Sequence, residues 1–151
     1  MDNLRDLERW AEPLLARLTP AARRRLARTI ATELRRRQRE RIASQRNPDG
    51  TPFEPRKPQA RHQRGAIRRM PMFTKIRQAR HLRTRADPSS AEVGFLGRVA
   101  RIARVHQEGR RDRVRPGGPV HDYAQRELLG YSNADRRLIR DLLIQHLAGD
   151  L

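Results

Sequence analysis

Residues 19–44, TPAARRRLARTIATELRRRQRERIAS, decide the fold. Thr19-Pro20 reads as a helix start, because a Thr hydroxyl satisfies a free backbone N–H and Pro suits the first helical position. The helix is predicted to run to about Ser44, roughly 37 Å at 1.5 Å per residue. Leu26, Ala27, Ile30, Ala31 and Leu34 fall on one face, and Arg24, Arg25, Arg28, Arg35, Arg36 and Arg39 on the other. Past Leu34 the apolar stripe stops, since Arg37, Gln38 and Arg41 occupy its continuation and only Ile42 remains. The first half is therefore expected to pack on this chain's own core. The second half is expected to project or to lie on a neighbour.

Towards the N-terminus, Leu4, Leu7, Leu14, Leu15 and Leu18 recur at near-helical spacing beside Trp10, which predicts a helix over 4–18 kinked or split at Pro13. Downstream, RNPDGTPFEPRKP (46–58) holds four prolines and a Pro-Asp-Gly turn, so it is a loop with Phe53 as its anchor. Residues 59–69 are basic and without pattern. The stretch 46–69 is read as a Pro/Arg-rich extended arm or loop, of which 59–69 are expected to order only on assembly. Met70–Arg77 predicts a short helical turn with Met72, Phe73 and Ile76 inward. Residues 80–86 and 91–96 predict a hairpin around Asp87-Pro88-Ser89-Ser90, because Ala91, Val93 and Phe95 alternate with Glu92 and Gly94.

Residues 98–107 read as a helix with Val99, Ile102, Ala103 and His106 on its buried face and Gly109 placed to end it. Residues 110–119 read as a loop, and 121–130 as one more strand. Ser132 and Asp135 have the spacing of a reciprocal helix cap, and Leu138, Ile139, Leu142 and Leu143 form the stripe of a terminal helix. The order gives an α+β fold in one domain over 1–151: long N-terminal helices, a small antiparallel sheet made of a hairpin plus one strand, and a C-terminal helix.

The 151 residues carry a net charge of +18 with 34% charged and 4% aromatic side chains, so part of the surface is unusually polar. The charge is not uniform: segments 1–18 and 121–151 are each −1, whereas 19–46 is +8 and 47–120 is +12. Such a field draws polyanions or acidic partners. Only Lys57 and Lys75 are Lys among the 35 basic residues, a bias that an Arg-rich codon usage explains in every segment alike.

The residue types that carry catalysis do not assemble in the sequence. There is no Cys, and His62, His81, His106, His121 and His146 share no ligand spacing, so no metal or cofactor is expected. His106 and His146 read as helix-face residues, and His121-Asp122 points to opposite faces of a strand. Carboxylates beside Arg stay ionised and make poor general acids. Ser44, Ser89, Ser90 and Ser132 lack a nucleophile's turn, and Gly117-Gly118 lacks the Lys-Ser/Thr of a phosphate loop. No run of about 18 apolar residues is present to span a membrane. The opening MDNLRDLERW has no apolar signal core, which predicts a protein made and used in a cytoplasm. A small basic protein that binds nucleic acid without sequence choice is the alternative; only Phe53, Phe73 and Phe95 in the basic region are available to stack on bases.

Four stretches together carry a likeness: LTPAARRRLARTIATELRRRQRERIASQ (18–45), RNPDGTPFEPRKP (46–58), AEVGFLGRVARIARVHQEG (91–109) and YAQRELLGYSNADRRLIRDLLIQHLA (123–148). In order and spacing they resemble the virion morphogenesis, or tail completion, family of contractile-tailed phages. The resemblance covers about residues 4–148 and departs at Ala124, where the family form has Pro. It implies a structural protein, not an enzyme, that finishes the tail tube and enables head–tail joining. Its expected form is a tail-terminator or neck-like ring, by analogy a hexamer. The implied partners are further copies of itself and tail tube and head–neck proteins, with contact to passing DNA that does not depend on sequence. The implied location is the host cytoplasm during assembly and then the virion tail. On this reading Pro48, Asp49, Gly50, Phe53, Pro55, Arg56 and Lys57 form the contact with the next subunit. Arg24, Arg28, Arg35 and Arg39 form a channel-lining or docking face. Ser132, Asp135, His106 and Gly109 are structural.

Overall fold

The computed structural model describes residues 3–56, 70–113 and 116–149. Their elements are α1 (Asn3–Leu15), α2 (Pro20–Ala43), β1 (Leu82–Asp87), β2 (Ser90–Phe95), α3 (Gly97–Glu108), β3 (Arg111–Arg113), β4 (Val120–Asp122) and α4 (Asn133–Gly149). These residues gather into two compact units. One draws on the chain up to Arg37, on Arg83–Gly94 and on the chain from Tyr131; the other on Gln38–Leu82 and Phe95–Gly130.

The first unit is built from helix faces. Ala11 of α1, Leu26 and Leu34 of α2, and Ile139 and Leu143 of α4 form its core, with Leu7, Leu15, Leu18, Ile30 and Val93 packed around them. Burying each large aliphatic side chain contributes about 1.5–3 kcal/mol. Pro13 does not split α1. It falls in the last turn, and after Leu15 the chain tightens through Arg17 N to Leu14 O at 3.2 Å and Leu18 N to Leu15 O at 3.1 Å. Thr19 Oγ1 accepts from Ala22 N at 3.1 Å and starts α2. The hairpin turn is held by Asp87, which accepts from Ser89 N at 2.7 Å and from Ser90 Oγ at 3.0 Å. These bonds hold its carboxyl below the usual range.

The second unit mixes apolar and polar packing. Ile42, Phe53, Ala103 and Leu128 are buried together, with Met72, Phe73, Ile76 and Phe95 against them. The end of α2 is therefore not a projection. Ile42 is fully buried and Gln38 is 4% exposed, both inside this unit. The stripe that seemed to fail past Leu34 continues in polar chemistry, because Gln38 and Arg41 bond the main chain of 127–130. After Ala43 the chain reverses with Gln45 at φ 59°. The Gln45 amide accepts from Met72 N at 2.7 Å and donates to Met72 O at 2.9 Å, which fixes the turns at 72–77 with Met72, Phe73 and Ile76 inward.

The sheet differs from the expectation of a hairpin plus one strand. β1 and β2 form one two-stranded sheet, and β3 and β4 a second, antiparallel one with Asp112 opposite His121. Arg111–Arg113, read as loop, is the strand that takes β4. Residues 123–130 form no strand: Tyr123 N and Arg126 N donate to the main-chain oxygens of Arg110 and His106, and side chains satisfy the backbone of 127–130. On α3 Ala103 is buried and Val99 and His106 half-buried as expected, but Val105 is buried as well and Ile102 is 46% exposed.

Candidate interaction surfaces and the interior that presents them

Segment 126–130, Arg-Glu-Leu-Leu-Gly, lies at the centre of the second unit. Leu128 is fully buried, so every polar group around it must find a partner. Asn47 Oδ1 accepts from Glu127 N at 2.9 Å. Gln107 Oε1 accepts from Leu128 N and Leu129 N at 2.8 and 2.9 Å, and its Nε2 donates to Leu129 O at 2.8 Å. Gln38 Oε1 accepts from Gly130 N at 3.2 Å. Arg41 donates to Glu127 O at 2.9 Å and to Leu128 O at 2.7 Å. Sequence reasoning gave none of these four side chains this role, and read Gln38 and Arg41 only as the end of the apolar stripe. A polar residue that bonds main chain 21 to 92 positions away leaves no local signal.

Gly130 lets this segment close on the loop before it. A Cβ there would lie 2.5 Å from Pro48 Cγ. The loop 46–56 is itself folded. Asp49 accepts from Thr51 N at 2.9 Å, Asn47 N donates to Thr51 O at 2.8 Å, and Arg46 pairs with Pro52 in a bridge. Phe53 is 4% exposed and belongs to the interior. Arg126, also buried, donates to Glu54 O at 2.8 Å and to Pro55 O at 3.1 Å, and burial lowers the pKa of its guanidinium. Arg56 donates to Met70 O at 2.9 Å and so ties the two ends of segment 57–69. Of the expected subunit contact, Asp49, Gly50 and Pro55 are exposed, Pro48 and Arg56 half-buried, and Phe53 interior. Lys57 lies outside the described residues.

His106 and Gly109 stand where the sequence placed them, at the end of α3. Gly109 has φ 63°, and a Cβ there would lie 3.0 Å from Gln125 N, so both backbone and space call for Gly. The His106 ring lies between Phe73 and Tyr123, with centroids 4.8 and 5.0 Å away and edge-to-face geometry. Phe53 and His121 extend this row at 5.7 and 4.7 Å. Burial, with the positive Arg126 nearby, pushes the His106 pKa down to about 4. At neutral pH it is an uncharged packing residue.

In the first unit Ser132 and Asp135 form the reciprocal cap: Ser132 Oγ accepts from Asp135 N at 3.0 Å, and Asp135 accepts from Ser132 N at 2.9 Å. Asp135 is buried and also takes the guanidinium of Arg37, a partner the sequence did not reveal.

Arg24, Arg28, Arg35 and Arg39 lie within about 60° of arc on α2 at 100° per residue. Arg24, Arg28 and Arg39 are exposed and Arg35 half-buried. Among the described residues none of the four has a carboxylate partner, whereas Arg36 pairs with Glu33 at 2.9 Å. The stripe thus carries charge that no described carboxylate neutralises. No three of the described His, Asp and Glu side chains gather in metal-binding geometry. No described helix is long and apolar enough to cross a membrane.

Residues 2–148 match the phage virion morphogenesis family. The chain is 37% identical over 149 residues to the tail completion protein S of Escherichia phage P2, a span covering 97% of this chain and 99% of that protein. No solved structure matches it. With the match running almost end to end, the chain belongs to the phage virion morphogenesis family, whose work is building particles and not catalysis.

Proposed function

We propose that this protein completes the phage tail: it caps the head-proximal end of the tail tube as a ring of identical subunits and makes the tail competent to join a filled head. The observation that carries the reading is the near full-length likeness to a tail completion protein. The physical features agree with it. A heterologous ring closes by using two different surfaces of one chain. Asp49, Gly50, Pro55 and Arg56 on the folded loop serve as one of those surfaces. The unpaired arginines of α2 serve as the face for acidic tube or neck proteins, or for the DNA that passes them.

Deleting the gene tests the role. Lysates should accumulate DNA-filled heads and separate tails, and the wild-type gene should restore joined particles. Normal particles without the protein would overturn the reading. Replacing Arg28, Arg35 and Arg39 together by Gln then separates the two uses of the stripe. Loss of tail length control or head joining marks docking, whereas joined particles that fail to deliver DNA mark a channel. Sizing of the purified chain should show a discrete oligomer at moderate salt without nucleic acid. A monomer that retains nucleic acid and releases it steeply with salt would instead favour simple polyanion binding.

A further inference from the structure

α1 and α4 leave a groove of about 520 Å³ lined by Leu7, Trp10, Asn133, Arg136, Arg137 and Arg140. Its volume falls in the range of about 300–1,000 Å³ typical of ligand sites. Trp10 is 42% exposed. Three guanidiniums line the groove and no carboxylate does. Arg136 is held by Asn133 Oδ1 at 2.9 Å. Arg140 stands 3.7 Å from Asp141 with both side chains exposed, a pairing of little strength. Arg137 has no carboxylate partner among the described residues.

The charge around this groove differs from that of the midsection. Segments 1–18 and 121–151, which supply its two walls, are each net −1, and α1 also carries Asp6, Glu8 and Glu12. A polynucleotide needs a continuous basic track and would meet those carboxylates along α1. A short acidic segment needs only the local cluster. Trp and Arg are the residue types that anchor protein contacts most strongly, through apolar area and charge-assisted bonds together.

We propose that this groove receives an acidic segment of a partner protein, with one aromatic or aliphatic side chain seated on Leu7 and Trp10 and its carboxylates on Arg137 and Arg140. The inference goes beyond the role proposed above and does not depend on the α2 stripe or on ring formation.

Trp10 is the single Trp of the chain, so its emission reports on the groove directly. The probe is an acidic octapeptide with a central Leu-Phe pair, titrated into the full chain. A saturable blue shift of Trp10 is expected. The dissociation constant should rise at least tenfold in R137E/R140E and less than twofold in R98E/R104E, an exposed pair on α3. Both pairs change the net charge equally, so non-specific attraction would weaken both alike. Equal weakening overturns the proposal, as does an absent shift, or a larger shift with an oligothymidylate octamer. Should R137E/R140E fail to fold, R137Q/R140Q carries the same test, with a rise of at least threefold expected.

Discussion

The two cores bury similar numbers of large side chains with different chemistry around them. In the first unit Leu26, Leu34, Ile139 and Leu143 meet as helix stripes, and the helices satisfy their own backbones. In the second, Leu128 sits on a segment with no regular structure, and Gln38, Arg41, Asn47 and Gln107 do for its backbone what a neighbouring strand would otherwise do. The first core draws on the hydrophobic effect, which tolerates small shifts. The second also depends on directional bonds, which do not. Orphaning one buried donor or acceptor costs about 1–3 kcal/mol.

The sharpest way to break this contrast is to set Gln107→Ala against Leu26→Ala. Gln107 serves three backbone groups at once, so its loss should cost about 3 kcal/mol, one for each group left alone. Leu26→Ala, which empties a site 2% exposed, should cost a comparable amount, about 3 kcal/mol. Denaturant midpoints followed by circular dichroism check both. Gln107→Glu keeps the two accepted bonds and loses the donor to Leu129 O, so it should recover most of the loss. If Gln107→Ala costs under about 1 kcal/mol, the segment is held by Leu128 alone and the contrast falls.

A polar link of the first unit comes next. Asp135 caps α4 and takes Arg37, so Asp135→Ala should cost about 2 kcal/mol: roughly one for the cap and one for the lost partner of Arg37. Asp135→Asn keeps an oxygen for the cap and should cost about half as much. Equal losses in the two variants would put the whole effect in the ion pair.

The same contrast explains what could be read from sequence. Thr19, Ser132 with Asp135, and Gly109 act on neighbours within a few positions, so their roles are visible as spacing. The Leu and Ile stripes of α2 and α4 repeat with the helix and are visible as period. Arg41 and Gln107 look like any surface residue until the chain brings 127–129 to them. For that reason the end of α2 read as a projection and 123–130 as a strand. Arg111–Arg113 has no alternating pattern and shows itself as a strand only through its pairing with β4. The one miss on α3 has the same origin: Ala103 and His106 follow the helix period, but Val105 rather than Ile102 is inward because the packing of the second unit chooses it. Within the expected interface, Phe53 was named for its isolation among prolines, and that isolation marks an anchor to the interior.

His106 offers a smaller test, confined to the second unit. Unfolded His takes its proton near pH 6.5, whereas in the native state it does so near 4. Between those values the unfolded state binds more protons, so stability is fully present above pH 6.5 and falls as pH drops towards 4. His106 Nδ1 has no bonding partner among the described residues, so His106→Phe removes no hydrogen bond and keeps a ring between Phe73 and Tyr123. Melting temperature measured from pH 7 to 4.5 should fall less in His106→Phe than in the parent chain. Asp49 and Asp87, whose carboxyls are held below their usual range, lose their contribution only below about pH 3.8 and do not obscure this window. Identical slopes in the two proteins would mean that the ring opens to water before it titrates.

The smallest expected effect on stability belongs to the largest concentration of charge. Arg24, Arg28, Arg35 and Arg39 make no described ion pair, and like charges four apart on a helix repel by a few tenths of a kcal/mol. Changing all four to Gln should leave the denaturation midpoint within about 0.5 kcal/mol of the parent, or raise it slightly at low salt. The interior arginines give the opposite result by the same logic: Arg41→Gln withdraws donors from Glu127 O and Leu128 O and should destabilise by about 2 kcal/mol. If the stripe is the docking or channel face proposed above, assembly of joined particles is the readout in which the four-fold variant fails. A variant that is both as stable as the parent and as active in assembly would show that the stripe is only a solvated helix face.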